Sequence, residues 1–362
     1  MNSFDQYRAA KQQYGGRIRG ASLDWKKWVV PAVLLVFTAI CWAFAIPGYL
    51  SLSNSQAASA QTAEPTNTGP KVQPGALLTE RKPDELAIVF LDIGQGDATF
   101  IQTPEQKTML IDTGEGDNPD FEFARKVDAG NRLILPFLAR NKIERINYFV
   151  GTHAHSDHIG AAEAILKNIP VDKVWIPGAN HPSVSKIALL DAIKETGVPL
   201  KVSAQVGGTL KIGQEIDMGA GIKAYILYMD PKSHENINNS SIVILIRYGE
   251  NSVLLPGDAE SEVELKIIKK WGDQIHADVL KAGHHGSRTS STQPWIDFVK
   301  PEHTVFMVGS YNTFGHPTDE VIHRVKEAGS KVHRTDEDGT IFMFMDGKNI
   351  RIIKRRDLGV YK

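Results

Sequence analysis

Thr152-His153-Ala154-His155-Ser156-Asp157-His158-Ile159-Gly160 sets three imidazoles and one carboxylate within six positions. The run follows Ile146-Asn147-Tyr148-Phe149-Val150, whose β-branched and aromatic content predicts a buried strand. It precedes Ala161-Ala162-Glu163-Ala164-Ile165-Leu166, which predicts a helix. His and Asp packed this densely at a strand-to-helix turn read as a metal-binding loop, not as a polar loop that happens to be rich in His. On an extended segment His153 and His155 alternate and can grip one ion. Asp157 and His158 enter the helix aimed at a second.

From Glu85 onward the pattern alternates between strand and helix. Short apolar strands are predicted at 86–93, 98–102 and 108–111, and helices at 133–141, 184–196, 261–271 and 319–328. A hairpin runs up through 241–248, turns at Gly249-Glu250-Asn251 and returns through 253–255. Two sheets flanked by helices fit this order better than one doubly wound sheet.

Further motifs gather around the His loop. Asp112 ends an apolar strand beside Gly114, where a carboxylate can orient a metal-bound His from behind. Asp258, in Pro256-Gly257-Asp258, closes the return strand of the hairpin and can bridge two ions. In Gly283-His284-His285-Gly286-Ser287-Arg288, one His can complete the second ion's set while the other, with Ser287, faces substrate. His316, in Gly315-His316-Pro317-Thr318, is open to three readings: general acid, phosphate contact or turn residue. His181, His234, His276, His303, His323 and His333 have no such neighbours in sequence and read as surface or structural residues.

The amino-terminal part has a different character. Residues 1–27 carry six Lys/Arg against two Asp, and 28–46 are nineteen residues without a charge, with Trp28 and Trp42 near the ends. That length suits a helix crossing a hydrocarbon core of roughly 30 Å. The basic residues before it place the amino terminus in the cytoplasm and the rest outside. A cleaved signal peptide competes, because Ala58-Ser59-Ala60 has the form of a cleavage site. The apolar run exceeds the roughly 7–15 residues of such a peptide, which favours an uncleaved anchor. The expected organisation is a basic tail at 1–27, a membrane anchor at 28–47, a Ser/Ala/Pro/Gly-rich linker at 48–83 and one folded domain at 84–362. Cys41, the single cysteine, lies inside the anchor, so the exported part has no disulfide. Setting aside 1–27 leaves 35 basic against 40 acidic residues, a mild net of −5.

In order, Asp112, His153-x-His155-x-Asp157-His158, Asp258 and His284 resemble the metallo-β-lactamase fold. A narrower likeness rests on Leu91-Asp92-Ile93-Gly94-Gln95-Gly96-Asp97-Ala98, Asn238-Asn239-Ser240-Ser241, Gly257-Asp258-Ala259-Glu260, His284-His285-Gly286-Ser287 and Gly315-His316-Pro317. These resemble the carboxy-terminal hydrolase domain of the ComEC competence proteins, over about residues 85–352. A full competence protein also has a multi-helix channel and an oligonucleotide-binding domain, neither of which is in this sequence, so DNA uptake itself is not implied.

The resemblance implies an α/β fold of the αββα sandwich kind with a dinuclear site at one edge. His153 and His155 would hold the first ion, Asp157, His158 and His284 the second, and Asp258 would bridge. The wider fold often places another His before the hairpin. None stands at 235–241, so the first ion would be one protein ligand short. Without a Cys ligand, Zn²⁺ or Mn²⁺ is expected. Asp157 would orient the attacking water and His285 or His316 protonate the leaving oxygen, with Asn239, Ser287, Arg288 and Tyr311 on the substrate side. The function implied is a membrane-tethered extracellular phosphodiesterase acting on DNA. A hydrolase of cell-envelope phosphoesters, such as phosphorylcholine on teichoic acid, and a binding protein that has lost catalysis are the alternatives.

Overall fold

The computed structural model describes residues 77–117, 128–179, 181, 183–202, 209–219, 221–230 and 236–355. The expected basic tail, the anchor at 28–47 and the linker up to 76 lie outside the described residues. Among the described residues no helix is long and apolar enough to cross a membrane.

One sheet contains β1 (Leu86–Phe90), β2 (Thr99–Gln102), β3 (Thr108–Ile111), β4 (Tyr148–Val150), β5 (Val174–Ile176) and β6 (Leu200–Val202) in spatial sequence. The other contains β7 (Glu215–Asp217), β8 (Ile222–Tyr228), β9 (Val243–Tyr248), β10 (Asn251–Leu255), β11 (Val279–Lys281), β12 (His303–Phe306) and β13 (Lys331–Arg334). The chain then returns to the first sheet, where β14 (Thr340–Met345) pairs with β1 and β15 (Ile350–Arg355) forms the edge. Both sheets change character midway. Pairing is antiparallel up to β3 and parallel from β3 to β6. It is likewise antiparallel up to β10 and parallel from β10 to β13.

Strand periodicity builds the layers. In β1, Leu86, Ile88 and Phe90 point into the space between the sheets, while Ala87 and Val89 point outward. The central layer is apolar, with Ile88, Met109, Ile111 and Val150 of one sheet and Ile226, Ile244, Ile246 and Val253 of the other all buried. Helices at Leu135–Arg140, Ala162–Asn168 and Val184–Thr196 cover the outer face of the first sheet over Val89, Phe100, Leu110 and Phe149. Helices at Ser261–Trp271, Gln293–Val299 and Asp319–Glu327 do the same for the second over Leu245, Leu254, Leu280 and Phe306. Each fully buried large side chain contributes roughly 1.5–3 kcal/mol of transfer free energy. The result is helix, sheet, sheet, helix.

Two boundaries differ from expectation. The linker was expected to reach residue 83, yet Leu77–Glu80 forms a 3-10 turn and Leu78 is buried, its N–H donating to Asn141 Oδ1 at 3.2 Å. The helix expected at 133–141 starts earlier, through a π-turn at Gly130–Ile134. Gly130 fits there because a Cβ would come within 3.0 Å of the Ala161 Cβ.

Candidate metal centre

In sheets flanked by helices, ligands often collect outside the carboxyl ends of the strands. The candidate residues of this protein stand at such strand ends. Asp112 follows β3, the His loop follows β4, Asp258 follows β10, and His284 and His285 follow β11. The helix at Val184–Thr196 steadies the His loop. Its capping residue Ser183 accepts from Lys186 N at 3.1 Å and donates its hydroxyl to Ala154 O at 2.8 Å.

Hydrogen bonds fix which ring nitrogen each His presents. Asp112 is fully buried, accepts from Thr152 N and Thr152 Oγ1 at 2.7 Å each, and lies 2.8 Å from His158 Nδ1. That holds the proton on Nδ1 and turns His158 Nε2 to the centre. His285 Nδ1 donates to the Met307 carbonyl at 2.9 Å, which likewise frees its Nε2. His158 Nε2 and His285 Nε2 then face one another at 3.3 Å, with Asp258 Oδ2 at 3.1 and 3.4 Å and Asp157 Oδ2 at 3.9 and 3.3 Å. His153 Nδ1 lies near Thr152 Oγ1 and Ser241 Oγ, and its Nε2 lies 3.0 Å from His155 Nδ1 and 3.9 Å from Asp258 Oδ2.

This donor set fits divalent cations. Acceptor nitrogens and carboxylates converge from several loops, with His153, His158 and Asp258 forming one group and Asp157, His158 and His285 another. Asp97 belongs to the same cluster, its buried Oδ1 3.3 Å from His285 Nδ1. In the protein alone, burial would deprotonate His158 and His285, but Asp258 and its neighbouring carboxylates outweigh burial and hold both rings' pKa well above normal. Burial would raise Asp258 and Asp157, yet the His158 and His285 charges hold both carboxyls below the usual range. Burial pushes the His153 and His155 rings the other way, below the ordinary imidazole value.

The adjacent pair after β11 reverses the expected order. His285 stands among the donors, while His284 sits at the rim, its Nδ1 3.2 Å from Glu260 Oε1 and its Nε2 3.9 Å from Asp258 Oδ2. Both have left-handed backbone, with φ of 46° and 55°. Strand alternation fails there and swings the second ring inward.

Asn239 and Ser287 do not line an open surface. Asn239 is buried and its Oδ1 accepts from Glu260 N at 3.1 Å, bracing the turn after Asp258. Ser287 is buried within its own turn against Thr289. Arg288 and Tyr311 are exposed. The His316 ring packs on His284 at 5.5 Å. Burial, with His284 and His285 nearby, pushes its pKa down to about 4, so at neutral pH it is uncharged and not a ready acid. Away from the centre, His303 and His333 pair with each other at 2.9 Å, and His323 lies exposed beside Glu327.

Two residues without an assigned role in the sequence join the cluster. Asp97 is held by a close pass of its loop over the His motif: Asp97 N donates to Asp157 O at 3.1 Å. Gly96 has φ +127°, and a Cβ there would meet Asp157 O at 2.3 Å, so only glycine fits. Lys281, the last residue of β11, shares the inward face of Val279. Its buried ammonium donates to Asp97 Oδ2 at 2.6 Å, Gly257 O at 3.0 Å and Asp258 Oδ1 at 3.3 Å. Burial would lower its pKa, but Asp97 and Asp258 raise it. A charged residue at the inward parity of an apolar strand, and a carboxylate after Gly-x-Gly at a strand end, are the signals that mark them.

Four layers and a His/Asp centre at the strand ends define a class, and residues 91–309 match the metallo-β-lactamase superfamily. The chain belongs to that superfamily. Among its relatives it is 33% identical to ComE operon protein 3 of Bacillus subtilis, over 70% of this chain and 32% of that one. It is 28% identical to competence protein ComA of Neisseria gonorrhoeae, over 77% and 35%. It is also 30% identical to recombination protein 2 of Haemophilus influenzae, over 69% and 28%. The chain thus spans about a third of the length of these relatives and is similar to them within the metallo-β-lactamase superfamily.

Proposed function

We propose that this protein is a membrane-anchored hydrolase, with its catalytic domain outside the membrane, that cleaves phosphodiester bonds of DNA. The observation carrying the hydrolytic part is the convergence of His158, His285, Asp157 and Asp258 through ring Nε2 atoms and carboxylate oxygens. His153, His155 and Asp258 would hold one divalent ion, Zn²⁺ or Mn²⁺, and Asp157, His158, His285 and Asp258 a second. Such ions supply Lewis acidity toward a phosphoryl oxygen and ready a water for attack.

The chain's own residues divide the remaining work. Asp157 is 28% exposed where Asp258 is 2%, so it is the carboxylate placed to orient water at the open side. Asp112 and the Met307 carbonyl keep the two inner rings in the tautomer that presents Nε2. Lys281 balances Asp97 and engages the far oxygen of Asp258, leaving Oδ2 for the centre. Uncharged His316 and the Arg288 guanidinium flank the mouth, where they would contact the phosphate.

Competence in the name of one relative and recombination in that of another support DNA as substrate. The uncharged run at 28–46 supports the anchor. The net acidity of the folded part favours a small envelope phosphoester instead. Linear DNA and a bis-aryl phosphodiester, each with Mn²⁺ or Zn²⁺, separate these readings. Cleavage of DNA at low salt is expected. Good turnover of the small ester with no cleavage of DNA would retire DNA in favour of the envelope substrate.

A further inference from the structure

Among the described residues, large apolar side chains left exposed are few, and two of them share one short loop: Tyr311 is 95% and Phe314 67% exposed. That loop lies at the metal centre. The Phe314 ring stacks on His316 with centroids 6.0 Å apart and planes 18° from parallel. His316 packs on His284 at 5.5 Å, and His284 on His285 at 6.1 Å. A line of rings thus runs from solvent to the inner donors.

The loop is built to hold this shape. Asn312 Nδ2 donates to Gly309 O at 3.0 Å and His316 O at 2.6 Å, and its Oδ1 accepts from His316 N at 3.0 Å. Gly309 N donates to Gln95 Oε1 at 3.2 Å, tying the loop to the one that carries Asp97. Tyr311 keeps a left-handed φ of 63°, a conformation that is strained for a non-glycine residue. A strained, pre-formed loop that exposes two aromatic faces beside a reactive centre is a binding surface, not a packing accident.

We propose that Phe314, with Tyr311, is a base-stacking platform, and that the substrate is single-stranded or frayed-end nucleic acid whose base near the scissile phosphate lies on it. This rests on the DNA reading above. The charge balance favours stacking, since a chain with a net of −5 beyond residue 27 gains little from phosphate attraction and needs another source of affinity. Aromatic stacking supplies about 1–3 kcal/mol per base and tolerates any sequence. Duplex bases are already stacked on one another, so the platform selects strands whose bases are free. Arg288, close enough to His316 to bear on its charge, contacts the neighbouring phosphate.

The test uses the full chain loaded with Mn²⁺ and two oligonucleotides, one intact and single-stranded, the other abasic at every position. A 2-aminopurine probe reports stacking directly. The wild type is expected to bind the intact strand roughly 5- to 150-fold more tightly than the abasic one and to quench the probe. Phe314→Ala should collapse that ratio toward 1 and abolish quenching, while keeping its metal content. Phe314→Trp should restore both. Equal binding of intact and abasic strands by a wild type that cleaves both would overturn the platform and leave the DNA reading standing. A wild type that cleaves neither strand yet hydrolyses a small phosphodiester, with phosphorylcholine competing at Phe314, would overturn both.

Discussion

At Lys281 a buried ammonium lies 2.6 Å from Asp97 and 3.3 Å from Asp258, and nothing else in the sequence near it announces an ionic role. Breaking a buried pair by removing one partner costs up to about 3–5 kcal/mol, because the charge left behind has no compensation. Lys281→Met should therefore lower the urea midpoint of the metal-free protein at neutral pH. The sign with pH follows from the carboxyls. Asp97 and Asp258 are held below their ordinary pKa, so their contribution is present at neutral pH and is lost as pH falls through the folded values. The gap between wild type and variant should hold from pH 7 down to about pH 4 and narrow as pH falls further. A gap that does not narrow below about pH 4 would mean that Lys281 contributes packing alone.

At the scale of elements, the turn His284–His285 shows where sequence reading stops. The two His after β11 were expected at the centre, and the structure brings His285 into the cluster. Which ring turns inward depends on two consecutive left-handed residues, and no side-chain pattern reports φ. His285→Ala should lose one equivalent of metal by elemental analysis, and His284→Ala should keep both. The opposite result would restore the order expected from an extended backbone. Other elements were legible because local chemistry dictated them. The strand Thr108–Ile111 is a short apolar run bounded by turn residues. The helix Val184–Thr196 has Ser183 as its cap and Gly197, with φ 69°, as its stop. The π-turn at Gly130–Ile134 was not legible, because it depends on how closely Gly130 approaches Ala161 across the fold. Short buried strands such as Val174–Ile176 lacked enough residues to set a period.

Over the whole molecule, the His loop, Asp112 and Asp258, nominated together from the sequence motifs, are brought into one cluster by the structure. Asp97, Lys281 and the buried roles of Asn239 and Ser287 needed the two sheets brought face to face. The proposed anchor makes a separate prediction about placement. Protease added to intact cells should digest the domain at 77–355 and spare residues 1–27, and full protection of the domain would refute an external site. The central claim is that hydrolysis depends on the carboxylate and imidazole centre. Its most direct measurement is hydrolysis of a bis-aryl phosphodiester by the full chain before and after chelation, beside Asp258→Ala, with bound metal counted in each sample. The account predicts activity that chelation abolishes and Mn²⁺ or Zn²⁺ restores, and at least a ~10³-fold loss in Asp258→Ala together with its metal. Activity that survives chelation, or an Asp258→Ala variant that keeps both its metal and its rate, would contradict it.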